Sequence, residues 1–383
     1  MTTLEIIEDL KKGKVDLITY LTNLCDRIES EDVKIQAMVP GTYARENILN
    51  QASQLLERYP QPEDRPPLFG IPVGIKDIIR ASGFPTRCGS KLPPNFFDGP
   101  EADCVSRIKG AGGMVPGKTV TTEFAYFEPG ATRNPHNLNH TPGGSSSGSA
   151  AGVASGFFPF AIGSQTGGSV IRPAAYCGVV GFKPSFGKIP MEGVMPLSET
   201  LDHLGIFCED PSGIDPLMQV LGRDWNSETV HSNPGNPVLG VPDGPYLNLA
   251  THHGLQHFEE TLKKIQEKGF EIRRISTFDN IEELNDHLLR LMWVEIAESH
   301  ASWYEEYGHL YSAKMADAVK QGQMIGSEEH RRFRAEAAEL RMKIEEQMTS
   351  ERIDAWICPS TTDSAPEGFD STGSPIMNFA WTY

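Results

Sequence analysis

Apolar residues recur at helical spacing near the start of the chain, at Leu17, Leu21, Leu24 and Ile28, which predicts a helix with one buried face. A second, polar-rich helix is expected over about 43–58, ahead of Pro60. PLFGIPVGIKDII (67–79) reads as a buried, β-branched strand interrupted by glycine and proline, with a single lysine, Lys76, inside it. In the second half, VLGVP (238–242), a helix over 253–268 and FEIRRI (270–275) give strand, helix, strand, which is α/β grammar. Two long charged helices follow, at about 281–305 and 327–350. The later one opens at Ser327 with Glu328 and Glu329 in its first turn. Its apolar stripe, Phe333, Ala337, Leu340, Ile344 and Met348, is expected to pack on the core. DAWICPS (354–360) reads as one more buried strand, and no internal repeat is visible.

Residues 141–187 break the pattern, with 11 glycines in 47 residues against 37 in the 383 of the chain. A flexible linker lacks apolar residues, whereas here AAGVA, FFPFAIG and CGVVGF interleave with the glycines and imply close-packed backbone. From Asn134 to Phe182 the only Asp, Glu, Lys or Arg is Arg172.

Composition narrows the class. At 383 residues the chain fits one large or two ordinary domains, and 39% hydrophobic with 22% charged residues are globular values. No apolar run approaches the roughly 20 residues of a membrane helix. Lys plus Arg at 34 and Asp plus Glu at 51 give 34 − 51 = −17, a charge that repels phosphate backbones and anionic lipid. Neither nucleic acid nor membrane is expected as a partner. The amino-terminal MTTLEIIEDLKKGKVDL has no secretory pattern, so a cytoplasmic location is expected. Six scattered cysteines without C-x-x-C spacing read as reduced, buried thiols.

Three glycine motifs compete for the chemistry. GGMVPGKT (112–119) satisfies G-x-x-x-x-G-K-[ST], which would make Lys118 a phosphate-binding residue. Its context is wrong, because a helix-like segment precedes it and β-branched TVTTEF follows. GSSSG (144–148) satisfies G-x-S-x-G, with Ser146 as nucleophile, but turn formers precede it where a buried strand is required. The third motif is the whole block TPGGSSSGSAAGVASGFFPFAIGSQTGGSVIRPAAYCGVVGFKPS (141–185).

This block resembles the amidase signature family, whose Ser-Ser-Lys hydrolases carry G-G-S-S-G-G-S-A, then D-T-G-G-S-I-R-x-P, and an earlier lysine in G-I-P-x-x-x-K-D. The resemblance runs along the chain and is densest over 66–208. It implies Ser169 of QTGGS as nucleophile, Ser145 of PGGSS as a bridging serine joined to Gly144 by a cis peptide, and Lys76 of GIKD as base. A serine hydroxyl needs a base at neutral pH, and a lysine desolvated in an apolar strand can serve. The backbone N–H groups of Thr166, Gly167, Gly168 and Ser169 are the natural oxyanion donors. Ser146, Ser147 and Ser149 are expected as caps and hydrogen-bonding support, and His136, His140 and His203 as structural or pocket-lining residues. Asp202 in SETLDHLG matches a family S-L-D-x-x-G segment and is expected to support the site from behind.

Two departures stand out. Gln165 replaces the usual aspartate, and Arg172 follows the nucleophile by three residues where the family pattern has two. An arginine without its counter-ion needs another partner. Either it meets a carboxylate or polar acyl group of the substrate, or it bonds backbone carbonyls. The same departures argue for a free-standing amidase over the amidotransferase component that feeds ammonia to glutamyl-tRNA. NFAWTY (378–383) resembles a point where family members continue through G-x-P and further strands, so the chain is expected to stop early.

The expectation is therefore an α/β amidase signature fold over 1–383, with a mixed central sheet covered by helices on both faces, a core over 60–210 and a helical, variable part over 211–350. The expected activity is hydrolysis of a non-peptide carboxylic amide through a seryl acyl-enzyme, with no cofactor and no metal. The expected partners are the small-molecule amide and, at most, a second copy of the chain. The alternatives are a non-catalytic relative or fragment used for binding, and a nucleotide-binding protein acting through 112–119.

Overall fold

The computed structural model describes residues 2–93, 95–228 and 235–383. Helix α1 (Thr3–Lys11) opens with a capping box between Thr2 and Glu5, and α2 (Leu17–Ile35) starts at Asp16, whose side chain accepts from the Thr19 N–H. Leu17, Leu21, Leu24 and Ile28 form its buried face as their spacing predicts. After α3 (Arg45–Arg58), the strand expected over 67–79 is shorter, β1 (Val73–Lys76). Gly70 turns the chain with φ +71°, and Pro72 sits just before the strand.

Next come α4 (Asp103–Gly110), β2 (Lys118–Thr119), α5 (Ser147–Ala154), β3 (Phe160–Gln165), α6 (Ile171–Cys177), β4 (Val180–Phe182), β5 (His203–Cys208) and α7 (Ile214–Leu221). The five strands form one mixed sheet in the order β2-β1-β3-β5-β4. Strand β1 is parallel to β2 and β3, whereas β5 runs antiparallel to β3 and β4. Side chains of β3 and β5 alternate between two cores, one on each face. Phe160, Ile162, Leu204 and Ile206 join Val73 and Ile75 on one side. Ala161 and Phe207 join Leu24, Ile28, Ala150 and Ala151 on the other. Burial on both faces explains the near-continuous apolar reading of these strands.

Small residues let α5 lie against the sheet. A Cβ at Gly148 would sit 2.2 Å from the Ala37 carbonyl oxygen and 2.4 Å from the Val120 nitrogen, so no other residue fits there. Close packing, rather than flexibility, is what the glycine enrichment provides.

In the second half, β6 (Leu239–Asp243), α8 (His252–Glu267), β7 (Ile272–Ser276), α9 (Ile281–Ser299), α10 (Ala301–Tyr307), α11 (Ala313–Met324), α12 (Ser327–Ser350), β8 (Ala355–Trp356) and α13 (Ile376–Thr382) follow. Their strands pair among themselves as a three-stranded parallel sheet, β7-β6-β8, and do not extend the first sheet. The long helix expected over 281–305 divides at His300, whose backbone (φ −100°, ψ 2°) leaves the helical region. The stripe on α12 is only partly realised: Phe333 is buried, while Ala337, Leu340, Ile344 and Met348 are half-buried. Leu288, Leu291, Met292 and Ile296 of α9 join the same core as Val73 and Ile75, so this helix backs the first sheet. Among the described residues, no helix is long and apolar enough to cross a membrane, and all six cysteines are free thiols.

Candidate active site

Parallel strands β1 and β3 end on the same side of the sheet, the edge where α/β folds present reactive groups. Lys76 is the last residue of β1 and is fully buried. Its Nζ donates to Ser145 Oγ at 2.6 Å and to Ser164 Oγ at 2.8 Å. Burial pushes its ammonium down to about 7, while the Asp202 carboxyl pulls the other way. Asp77, one residue on, pairs instead with Lys118 at 3.0 Å. Ser145 is buried, follows Gly144 through a cis peptide, and lies just ahead of α5.

Strand β3 leads directly into the turn Thr166, Gly167, Gly168 and Ser169, and then into α6. The backbone N–H groups of Gly167, Gly168 and Ser169 donate to no acceptor among the described residues. Those of Val170 and Ile171 are taken by Gln165 Oε1, at 2.9 and 3.0 Å. Gln165 thus caps the start of α6 with its side chain. Ser169 is 8% exposed, and no hydrogen bond joins its hydroxyl to Ser145 or Lys76. The turn faces a narrow cavity with Arg172, Ala125, Phe127, Leu197, Met292 and Phe379 among its walls. Phe124 and Ala125, at φ +48° and +62°, are consecutive non-glycine residues in the left-handed region, a strained arrangement at the edge of this cavity.

The turn is held from behind. Thr166 Oγ1 donates to Asp202 Oδ1 at 2.5 Å, and the other carboxyl oxygen accepts from the N–H groups of Leu197 and Ser198 at 2.8 and 3.0 Å. Burial raises Asp202 to about 6 against these hydrogen bonds, which lower it.

Arg172 lines the cavity and is also tied to the protein around it. Its Nη1 donates to the Gly373 carbonyl at 2.6 Å, and its Nη2 donates to the Gly144 carbonyl at 2.6 Å and to Thr372 Oγ1 at 3.2 Å. Both terminal nitrogens are thereby taken by the protein, and only Nε lacks a partner. Desolvation lowers the guanidinium to about 10. Backbone carbonyls are thus among its partners.

The competing motifs resolve into structure. Lys118 starts β2, is fully buried, and donates to Asp77 and Thr86; a strand follows where a phosphate loop requires a helix. Ser146 exchanges hydrogen bonds with the Ser164 backbone, Ser147 donates to the Gly143 carbonyl, and Ser149 bonds Thr119 and the Ile162 carbonyl. His136, His140 and His203 each bond a backbone carbonyl, of Cys177, Ala365 and Leu201. Among the described residues, no group of three or more His, Cys, Asp or Glu could hold a metal ion. Sequence reasoning missed Ser164 as the second acceptor of Lys76 and the capping role of Gln165. Only the position of Ser164, at the end of a strand beside the glycine turn, could have signalled it.

Fold and site together define an α/β protein whose parallel strands deliver a buried lysine and a glycine-serine turn to one edge of a mixed sheet. The chain belongs to the Amidase family, whose model matches residues 19–382. It is 39% identical over 234 residues to a glutamyl-tRNA(Gln) amidotransferase subunit of Carboxydothermus hydrogenoformans, covering 59% of this chain and 47% of that protein. Against the corresponding protein of Exiguobacterium sibiricum it is 40% identical over 315 residues, covering 76% and 63%. The chain spans about half the length of the first of these curated relatives. A crystallised amidase superposes with a TM-score of 0.87 at 28% identity, covering 100% of this chain and 89% of that one.

Proposed function

We propose that this chain hydrolyses a non-peptide carboxylic amide to a carboxylate and ammonia or an amine, through an acyl-enzyme on Ser169. The observation that carries the reading is the hydrogen bond from Lys76 to Ser145, made by a lysine held near neutrality at about 7. A neutral amine can accept a proton where an ammonium cannot.

Ser169 Oγ attacks the amide carbon, and its proton passes through the Ser145 hydroxyl to Lys76. The carbonyl oxygen, now an oxyanion, is met by backbone N–H groups of the turn Thr166, Gly167, Gly168 and Ser169. Collapse of the tetrahedral adduct breaks the C–N bond, and the proton held at Lys76 returns through Ser145 to the departing amine. Water then attacks the seryl ester, Lys76 accepts its proton by the same route, and Ser169 leaves with it. No step calls on a cofactor.

A second reading, the glutaminase half of an amidotransferase, is favoured by the identity to the amidotransferase relatives. Against it stand Gln165 and the spacing of Arg172. A fluorophosphonate probe and an amide panel test both readings. Labelling at Ser169 that is lost in Lys76→Ala supports the hydrolase, and an unlabelled wild-type chain overturns it. Ammonia release confined to glutamine favours the amidotransferase; release from simple amides or half-amides favours the free-standing enzyme.

A further inference from the structure

Helix α9 meets the site in three places. Met292 lines the cavity, Trp293 Nε1 donates to the Tyr126 hydroxyl at 2.8 Å, and Glu295, one turn beyond Met292, reaches the loop that carries Asp202. The Glu295 carboxyl is 3% exposed, and among the described residues its hydrogen-bond donors lie in that loop. Ser198 Oγ donates to Oε2 at 2.5 Å, the Thr200 N–H to Oε2 at 3.1 Å, and Thr200 Oγ1 to Oε1 at 2.6 Å. On its other side, the His330 ring lies 3.6 Å from Oε1.

Ser198 itself donates its N–H to Asp202, as does Leu197, which also lines the cavity. Asp202 in turn accepts from Thr166, the first residue of the oxyanion turn. An unbroken run of hydrogen bonds therefore leads from α9 through Glu295, Ser198, Asp202 and Thr166 to the amides beside Ser169. We propose that Glu295 is a positioning residue for the oxyanion turn. Resting on the hydrolase reading above, it sets the loop 197–202 against α9 and so fixes where the 167–169 amides point. Such a group acts on the step in which the oxyanion forms, because a small displacement of preorganised donors weakens them where charge develops and leaves ground-state binding largely alone.

The conservative variant separates position from fold. In Glu295→Gln, the remaining carbonyl oxygen accepts from Ser198 and the Thr200 N–H, while the new amide donates to the Thr200 hydroxyl, which rotates to accept. In Glu295→Leu, all three loop donors lose their acceptor. The rate of Ser169 inactivation by a fluorophosphonate is measured on folded protein, with the thermal unfolding midpoint as control. The expected result is a rate about tenfold or more lower in Glu295→Leu, with kcat on the best amide lowered and KM little changed, and within about threefold of wild type in Glu295→Gln. Equal inactivation of folded Glu295→Leu and wild type overturns the inference and leaves the hydrolase reading intact. A wild-type chain that does not label overturns both. If Glu295→Leu does not fold, Ser198→Ala takes its place, where a drop of about tenfold supports the role and a rate within about threefold of wild type overturns it.

Discussion

Lys76 Nζ stands 2.6 Å from Ser145 Oγ at the end of β1, with Ser164 Oγ its other acceptor at 2.8 Å. Both partners are neutral hydroxyls, and the neighbouring Asp77 carboxyl is turned away to Lys118. Desolvation consequently dominates the lysine, and its ammonium loses a proton near pH 7, far below the ordinary 10.5. As base it must be neutral, so kcat/KM on an amide should rise about tenfold per pH unit up to about 7 and flatten above it. Stability has the same sign. The unfolded chain binds this proton more tightly, so the stability tied to neutral Lys76 is fully present above 10.5 and is lost as pH falls through about 7. Thermal midpoints of wild type and Lys76→Met across this range should converge at high pH, with wild type falling below the variant as pH drops.

Arg172→Met should destabilise the fold and slow every substrate alike. Its guanidinium supplies donors to the carbonyls of Gly144 and Gly373, and stranding buried acceptors costs about 1–3 kcal/mol each. Because Gly144 immediately precedes Ser145, the loss should reach activity as well. The ratio of kcat/KM on carboxylated and neutral amides should stay within about threefold of wild type. A selective loss on carboxylated amides would return the arginine to the substrate.

Gln165→Leu should lower stability by about 1–2 kcal/mol, since it removes the acceptor for the Val170 and Ile171 N–H groups at the start of α6. Gln165→Glu keeps an acceptor oxygen at the same reach and should retain most of that stability. Urea unfolding of the two variants checks the ordering.

Lys118→Met should cost about 3–5 kcal/mol, because it leaves the Asp77 carboxyl buried without its partner. Millimolar ATP should leave the thermal midpoint of the wild-type chain unmoved, as the ammonium that a phosphate would need is held by Asp77 and Thr86.

The lone lysine in an apolar strand and the glycine-serine turns of a nearly uncharged block were legible as local patterns, while the roles proposed for Lys76, Ser145 and Ser169 came from the family resemblance. Helix faces such as Leu17 to Ile28 were legible for the same reason, since burial follows a short period. Lengths were less so. The strand at 67–79 shrank to Val73–Lys76 because glycine and proline bend its approach, and the helix begun at Ile281 ended before His300, whose backbone leaves the helical region.

What the sequence determined by itself was the motifs around Lys76, Ser145 and Ser169 and the α/β alternation, both properties of neighbours along the chain. What only the tertiary structure decided was whom those residues meet. Arg172 finds Gly373 across 201 positions and Ser198 finds Glu295 across 97, contacts whose partners carry no local signature. The same burial that lowers Lys76 raises Asp202, and neither shift can be read from a residue's neighbours in sequence, because it depends on which atoms exclude water in three dimensions.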